Sequence, residues 1–196
     1  RDRLFRNFDG NGNGRVSLAE VGGGILSTLT GKDGAGGMAV YRRYYRSFVR
    51  AFNVVLSLRA PDEEQMRTAG YIRRAEFRVL LAMLCLHATL YELFLRADTG
   101  GRLERGGGPR PGQSPQTGQD DHRLSRREWS TALPFLRAAA QDWAPFAVLR
   151  DCTEADFAQI DTNGGGFISL AEWCDWIAAG ERTKGTPIGL ELAGRL

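Results

Sequence analysis

Residues 9–20, DGNGNGRVSLAE, and residues 161–172, DTNGGGFISLAE, share one twelve-residue pattern, which constrains this chain more than any other feature. Oxygen-bearing groups fall at alternate places: Asp9, Asn11, Asn13, the Arg15 carbonyl and Ser17, with Glu20 closing the string. The second string repeats them as Asp161, Asn163, Gly165, the Phe167 carbonyl, Ser169 and Glu172. Gly165 brings no side chain, so water completes that place or a ligand is lost. Short oxygen donors at every second residue can wrap a hard cation, and a glutamate at the twelfth place is long enough to reach back with both oxygens. Gly14 and Gly166 occupy the sixth place, where the chain must turn sharply in a conformation that disfavours a Cβ. Val16 and Ile168 at the eighth place add an apolar anchor to each string.

Both strings resemble the calcium loop of the EF-hand, which implies calcium as cofactor and up to two bound ions. EF-hands are helix–loop–helix units that pair to bury a face each would leave exposed, so weaker copies are expected between the two. Residues 65–76, QMRTAGYIRRAE, keep Gly70, Ile72 and Glu76 at places six, eight and twelve. Gln65, Arg67 and Ala69 stand where oxygen ligands belong, and Arg67 puts positive charge beside the site. This is a degenerate hand expected to hold no ion. A third hand is interrupted: it opens at Asp98 and closes at Glu128, 31 residues that include 19 more than a loop needs. Counted back from Glu128, Leu124 is at place eight and His122 at place six. The Gly-, Pro- and Gln-rich insertion at 100–121 offers little to bury and reads as a flexible excursion.

The expected fold is all-α: two EF-hand pairs, four helix–loop–helix units of which two are degenerate, packed as two lobes with short β contacts between paired loops. The expected boundaries are an N-terminal pair at 1–86, a C-terminal pair at 87–179 and a tail at 180–196, loose or draped on the surface. Helices are expected at 1–8, with Leu4, Phe5 and Phe8 inward, and after the first loop, where Val21, Ile25, Leu26 and Leu29 compensate for Gly22–Gly24. A Gly-rich link at 31–37 should precede a helix at 38–58, on which Val40, Tyr44, Phe48, Phe52 and Leu56 recur every four residues opposite Arg42, Arg43, Arg46 and Arg50. Residues 77–95 form the most apolar stretch. Its His87, Thr89 and Glu92 and its marginal length favour a core helix over a membrane span. Helices at 126–139, 153–160 and 170–179 complete the last pair.

The segments LFRNFDGNGNG, YIRRAEFRVLLAMLCLHATLYELFLRAD and ALPFLRAAAQDW resemble the flagellar calcium-binding proteins (calflagins) of flagellate protozoa, over most of residues 3–179. The resemblance implies a calcium-responsive protein at a cytoplasmic face, flagellar and membrane-associated. Those proteins are held by an acylated N-terminus; this sequence opens at Arg1 without a Met-Gly start, so that anchor maps onto no residue here. The chain departs from the family at its third hand, where a compact working loop is usual.

The leading function is a calcium sensor that exposes an apolar surface to a protein target or a membrane surface. The alternative is a structural EF-hand subunit, or a calcium buffer with little conformational response. A net charge of +3 carried almost wholly by arginine, with Lys32 and Lys184 the only lysines, argues no nucleic-acid partner, and no nucleic-acid module is legible. No enzyme and no small-molecule substrate are expected, because His87 and His122 stand beside no plausible nucleophile. Cys85, Cys152 and Cys174 are odd in number and lack metal-ligand spacing, so they read as reduced thiols of a cytosolic protein, with Cys85 and Cys174 in the core.

Overall fold

The computed structural model of the protein describes residues 2–30, 35–58, 70–99 and 122–192. It is mostly helical, with two small antiparallel sheets, and it divides into two compact units, residues 1–88 and 89–196.

The first unit contains α1 (Asp2–Phe8), β1 (Arg15–Ser17), α2 (Leu18–Thr30), α3 (Ala35–Ser57), β2 (Tyr71–Arg73) and the first half of α4 (Phe77–Asp98). β1 and β2 pair antiparallel, with Val16 opposite Ile72 and both side chains fully buried. The apolar eighth place of each loop thus forms the ladder's buried rung. Phe5 and Phe8 of α1 pack edge-on against Phe77 at ring-centroid distances of 5.1 and 5.3 Å. Leu4, expected inward, is exposed, because the burial is taken up by Phe5 and Phe8.

Two of its three glycines explain how α2 survives its poor helix propensity. A Cβ on Gly24 would sit 2.6 Å from the Phe8 ring, and one on Gly22 would sit 2.6 Å from the Tyr41 hydroxyl. These glycines let α1 and α3 come close, and the packing outweighs a propensity penalty of about 1 kcal/mol each. The Gly-rich link expected at 31–37 is partly helix: α3 begins at Ala35, and a Cβ on Gly37 would meet the Leu29 backbone at 2.5 Å. Leu29 and Val40, read as inner-face residues, are exposed. Phe48 and Phe52 are buried as expected, and Ser47, Ala51 and Val55 are buried with them.

α4 runs unbroken from Phe77 to Asp98, longer than the apolar stretch that marks it in the sequence. Among the described residues it is the one helix long and apolar enough to cross a membrane, and more than half of its most apolar stretch is buried within the protein. Cys85, expected in the core, is exposed. It lies on the side of the helix opposite Leu80, Met83, Leu84 and His87, which are all buried.

The second unit takes the rest of α4, then β3 (Arg123–Ser125), α5 (Arg126–Asp142), a 3-10 turn at Ala147–Arg150, α6 (Asp156–Ile160), β4 (Phe167–Ser169), α7 (Leu170–Thr183) and α8 (Pro187–Leu192). β3 and β4 pair antiparallel with Leu124 opposite Ile168. Trp129, Trp173 and Trp176 meet at centroid distances of 6.0–6.2 Å, with Phe94 against Trp173. The Trp129 indole donates to the Thr153 carbonyl and the Trp173 indole to the Leu90 carbonyl, so each buried ring has its polar edge satisfied.

Residues 180–192 are largely helical and fold back on the second unit. α7 continues to Thr183, and α8 folds back on it so closely that a Cβ on Gly189 would meet the Glu181 carbonyl at 2.3 Å. The fully buried Glu181 explains the extension: its carboxylate accepts from the Val148 amide at 2.7 Å and the Thr186 hydroxyl at 2.6 Å. It joins the 3-10 turn to the start of α8, neither of which has a periodic signature in the sequence. The insertion at 100–121 lies outside the described residues, as do residues 65–69 of the degenerate second loop.

Candidate metal centres

In the first loop, backbone amides aim the oxygens of places one, three and five inward. Asp9 accepts from the Asn13 amide at 3.0 Å through Oδ1 and from the Gly14 amide at 2.9 Å through Oδ2. Asn11 Oδ1 accepts from the Asn13 amide at 3.0 Å, and Asn13 Oδ1 from the Arg15 amide at 2.8 Å. Gly14 at place six adopts φ +77°. That left-handed geometry is why glycine stands there.

Glu20 closes the site. Its Oε2 accepts from the Ser17 amide at 2.9 Å and the Ser17 hydroxyl at 2.8 Å, while Ser17 Oγ accepts from the Glu20 amide at 3.2 Å. This reciprocal cap starts α2 and fixes the carboxylate. The other oxygen, Oε1, is buried and has no hydrogen-bond partner. An ionised oxygen shielded from water without a partner is costly unless a cation can take it. The Ser17 amide holds the Glu20 carboxyl below its ordinary range against the opposing effect of burial, with the Ser17 hydroxyl and then the more distant Asn11 and Gly10 amides helping. It is therefore ionised and ready to ligate at neutral pH.

The second loop repeats the frame. Asp161 accepts from the Gly165 amide at 3.0 Å and the Gly166 amide at 2.9 Å; Asn163 Oδ1 accepts from the Gly165 amide at 2.7 Å. Gly166 adopts φ +80°. Ser169 and Glu172 form the same reciprocal cap at the start of α7. Burial works to raise the Glu172 carboxyl, but the Ser169 amide and hydroxyl, with Thr162 and Asn163, more than offset it, and the carboxyl sits below its ordinary range. Here Oε1 is not orphaned: it accepts from Asn163 Nδ2 at 2.7 Å, Thr162 Oγ1 at 3.1 Å and the Asn163 amide at 3.3 Å.

The donor sets suit a hard divalent cation: two carboxylates, amide and hydroxyl oxygens, and one backbone carbonyl per loop, with Gly165 leaving the second set one side chain short. Among the described residues no three His, Cys, Asp or Glu side chains converge, as expected of sites with only two carboxylates each. That composition also disfavours a soft transition metal.

The degenerate loops keep the frame without the ligands. Gly70 adopts φ +89°, and Glu76 Oε2 accepts from the Arg73 amide at 2.7 Å. His122, at place six of the interrupted hand, adopts φ +58°, the only positive φ of a non-glycine among the described residues. Glu128 forms a full reciprocal cap with Ser125. In all four loops the closing glutamate accepts from the ninth-place amide. The glutamate therefore persists where no ion is expected, because it starts the following helix. This second role was legible as the Ser-x-x-Glu signature at 17–20, 125–128 and 169–172.

The family model for the EF hand matches residues 1–22 and 155–173, the two segments that contain the intact loops. The chain is 28% identical over 179 residues to a flagellar calcium-binding protein, TB-44A, of Trypanosoma brucei brucei, an alignment that covers 90% of this chain. It spans only 35% of that relative's length. The EF-hand matches include the two loops closed by Glu20 and Glu172, and calcium is the ion that this family implies.

Proposed function

We propose that the protein is a calcium sensor that takes up to two ions, one in the loop of Asp9, Asn11, Asn13, Arg15, Ser17 and Glu20 and one in the loop of Asp161, Asn163, Gly165, Phe167, Ser169 and Glu172. The observation that carries this reading is the buried, unpartnered Glu20 Oε1 in a loop whose Asp9, Asn11 and Asn13 oxygens are held by the loop's own amides. The four loops work as two pairs, each with one ion-binding and one degenerate hand, coupled through the β1–β2 and β3–β4 ladders. Calcium supplies a positive charge that draws the closing glutamate into the loop. Because Glu20 and Glu172 also cap α2 and α7, any movement of the carboxylate is passed directly to those helices.

In this reading, helix rotation exposes apolar surface to a protein target or a membrane surface, a binding role and not a catalytic one. Flagellar association is supported by the likeness to TB-44A. Calorimetric titration with calcium at physiological magnesium, with ANS fluorescence in parallel, tests it. A sensor takes up calcium and gains ANS signal. Uptake without ANS change makes the protein a buffer, and no uptake makes it a scaffold.

A further inference from the structure

The two intact loops hold the same oxygen of the same residue in different ways. Glu20 Oε1 has no hydrogen-bond partner, whereas Glu172 Oε1 accepts from Asn163 Nδ2, Thr162 Oγ1 and the Asn163 amide. In both loops the other glutamate oxygen stays on its serine cap, so Oε1 decides whether bidentate ligation is available. The difference follows from the sequence. At place two the second loop has Thr162 where the first has Gly10, which has no side chain to donate. At place three both asparagines accept through Oδ1 from the amide two residues on, but only Asn163 also donates its Nδ2 to the closing glutamate. Glycine at 165 permits this: a Cβ there would meet Asn163 Oδ1 at 2.6 Å.

We propose that Thr162 and Asn163 form a latch on Glu172 that opens before the second loop takes a divalent cation, so that the loop at Asp9 fills first. The proposal rests on reading both strings as calcium loops. Thr162 is not at a ligand place; it acts through Glu172 as a positioning residue. Asn163 is both ligand and latch, because its Nδ2 must release Glu172 as its Oδ1 turns to the ion. The bonds are exposed and water replaces part of their value, so each one shifts affinity modestly.

The test uses the full chain titrated with calcium chloride. Glu20→Gln silences the first loop, and all four tryptophans, 129, 143, 173 and 176, lie in the second unit, so tryptophan fluorescence reads the second loop alone. Thr162→Val removes a donor without changing a ligand and should tighten the second loop about two- to fivefold. Thr162→Ser, which keeps the hydroxyl, should match the parent. Asn163→Asp in the Glu20→Gln chain, and Asn11→Asp in a Glu172→Gln chain titrated by calorimetry, each add one carboxylate at place three, but only the former removes a latch donor, so it should tighten its loop more. In the calcium-free chain, the Asn163 side-chain amide should exchange with water more slowly than that of Asn11, a readout that needs no variant to fold. Equal gains at Asn163 and Asn11, parental affinity in Thr162→Val, or equal exchange of the two amides overturns the latch. Absence of calcium uptake by the unmodified chain overturns the calcium reading itself.

Discussion

Leu124 stands directly opposite Ile168 across the β3–β4 ladder, and both side chains are fully buried. The strand before Glu128 and the strand before Glu172 are thus joined by the same kind of rung that Ile72 and Val16 provide in the first unit. Leu124→Ala should destabilise the second unit by about 2–5 kcal/mol and Ile168→Val by about 0.5–1.5 kcal/mol, the ranges for deleted core methyls. Urea unfolding followed by tryptophan fluorescence measures both. A Leu124→Ala cost near zero would mean that the rung does not support the hand.

Removing one closing carboxylate should abolish one ion and leave the other. Glu20→Gln and Glu172→Gln keep an acceptor for the serine cap, since glutamine serves that position as well, so the helices should stay formed. Calorimetry should count one ion fewer in each variant. Glu76→Gln should change nothing, and a third ion lost with it would place a metal in the degenerate loop.

A ligand place without a side chain should weaken the second loop. Asn13→Gly should cost the first loop on the order of 1 kcal/mol of calcium binding, the net value of one polar contact. Gly165→Asp should strengthen the second by a similar amount, since it supplies the ligand and pushes Asn163 off the Gly165 amide. Unchanged affinity in both variants would show that place five limits neither site.

The loop frame was the most legible part of this chain: Gly14 and Gly166 turn through positive φ and Glu20 and Glu172 cap the next helix at the places the twelve-residue pattern gives them. The eighth-place residues Val16, Ile72, Leu124 and Ile168 likewise announced the rungs on which they lie. Helix limits were harder to read. Gly37 looks like linker until the Leu29 backbone is seen to pass where a Cβ would be, and close approach between segments is invisible to a propensity scale. Cys85, Leu4 and Val40 were read as inner-face from apolar periodicity, yet neighbouring aromatic or aliphatic residues took the burial. The Glu181 clamp on Val148 and Thr186 was silent in the sequence, because its acceptor and donors lie far apart and follow no motif.

Adjacent glycines of α2 should respond in opposite directions to alanine. A Cβ on Gly23 meets nothing within 4 Å, so Gly23→Ala should stabilise the first unit by about 0.5–1 kcal/mol through helix propensity. Gly24→Ala gains the same propensity but drives into the Phe8 ring, which is already wedged against Phe77, and should be net destabilising by about 1–3 kcal/mol. Thermal unfolding of the two variants checks the sign of each. Stabilisation by both would show that α1 yields freely.

His87 should make the protein acid-sensitive well above the carboxylate range. It is buried on α4, both ring nitrogens lack a hydrogen-bond partner, and burial, with the Arg50 charge adding to it, pushes its pKa down to about 4. The unfolded chain takes up the proton near pH 6.5, before the folded chain does, so acid favours unfolding. The stability is complete above pH 6.5 and is lost progressively as the pH falls toward 4. The linkage amounts to about 2 kcal/mol between neutral pH and about pH 5, where most carboxylates remain ionised and contribute little. His87→Leu, of similar size and without a titrating group, should flatten this dependence in urea unfolding measured at the two pH values. An equal acid loss in the variant would assign the sensitivity to other groups.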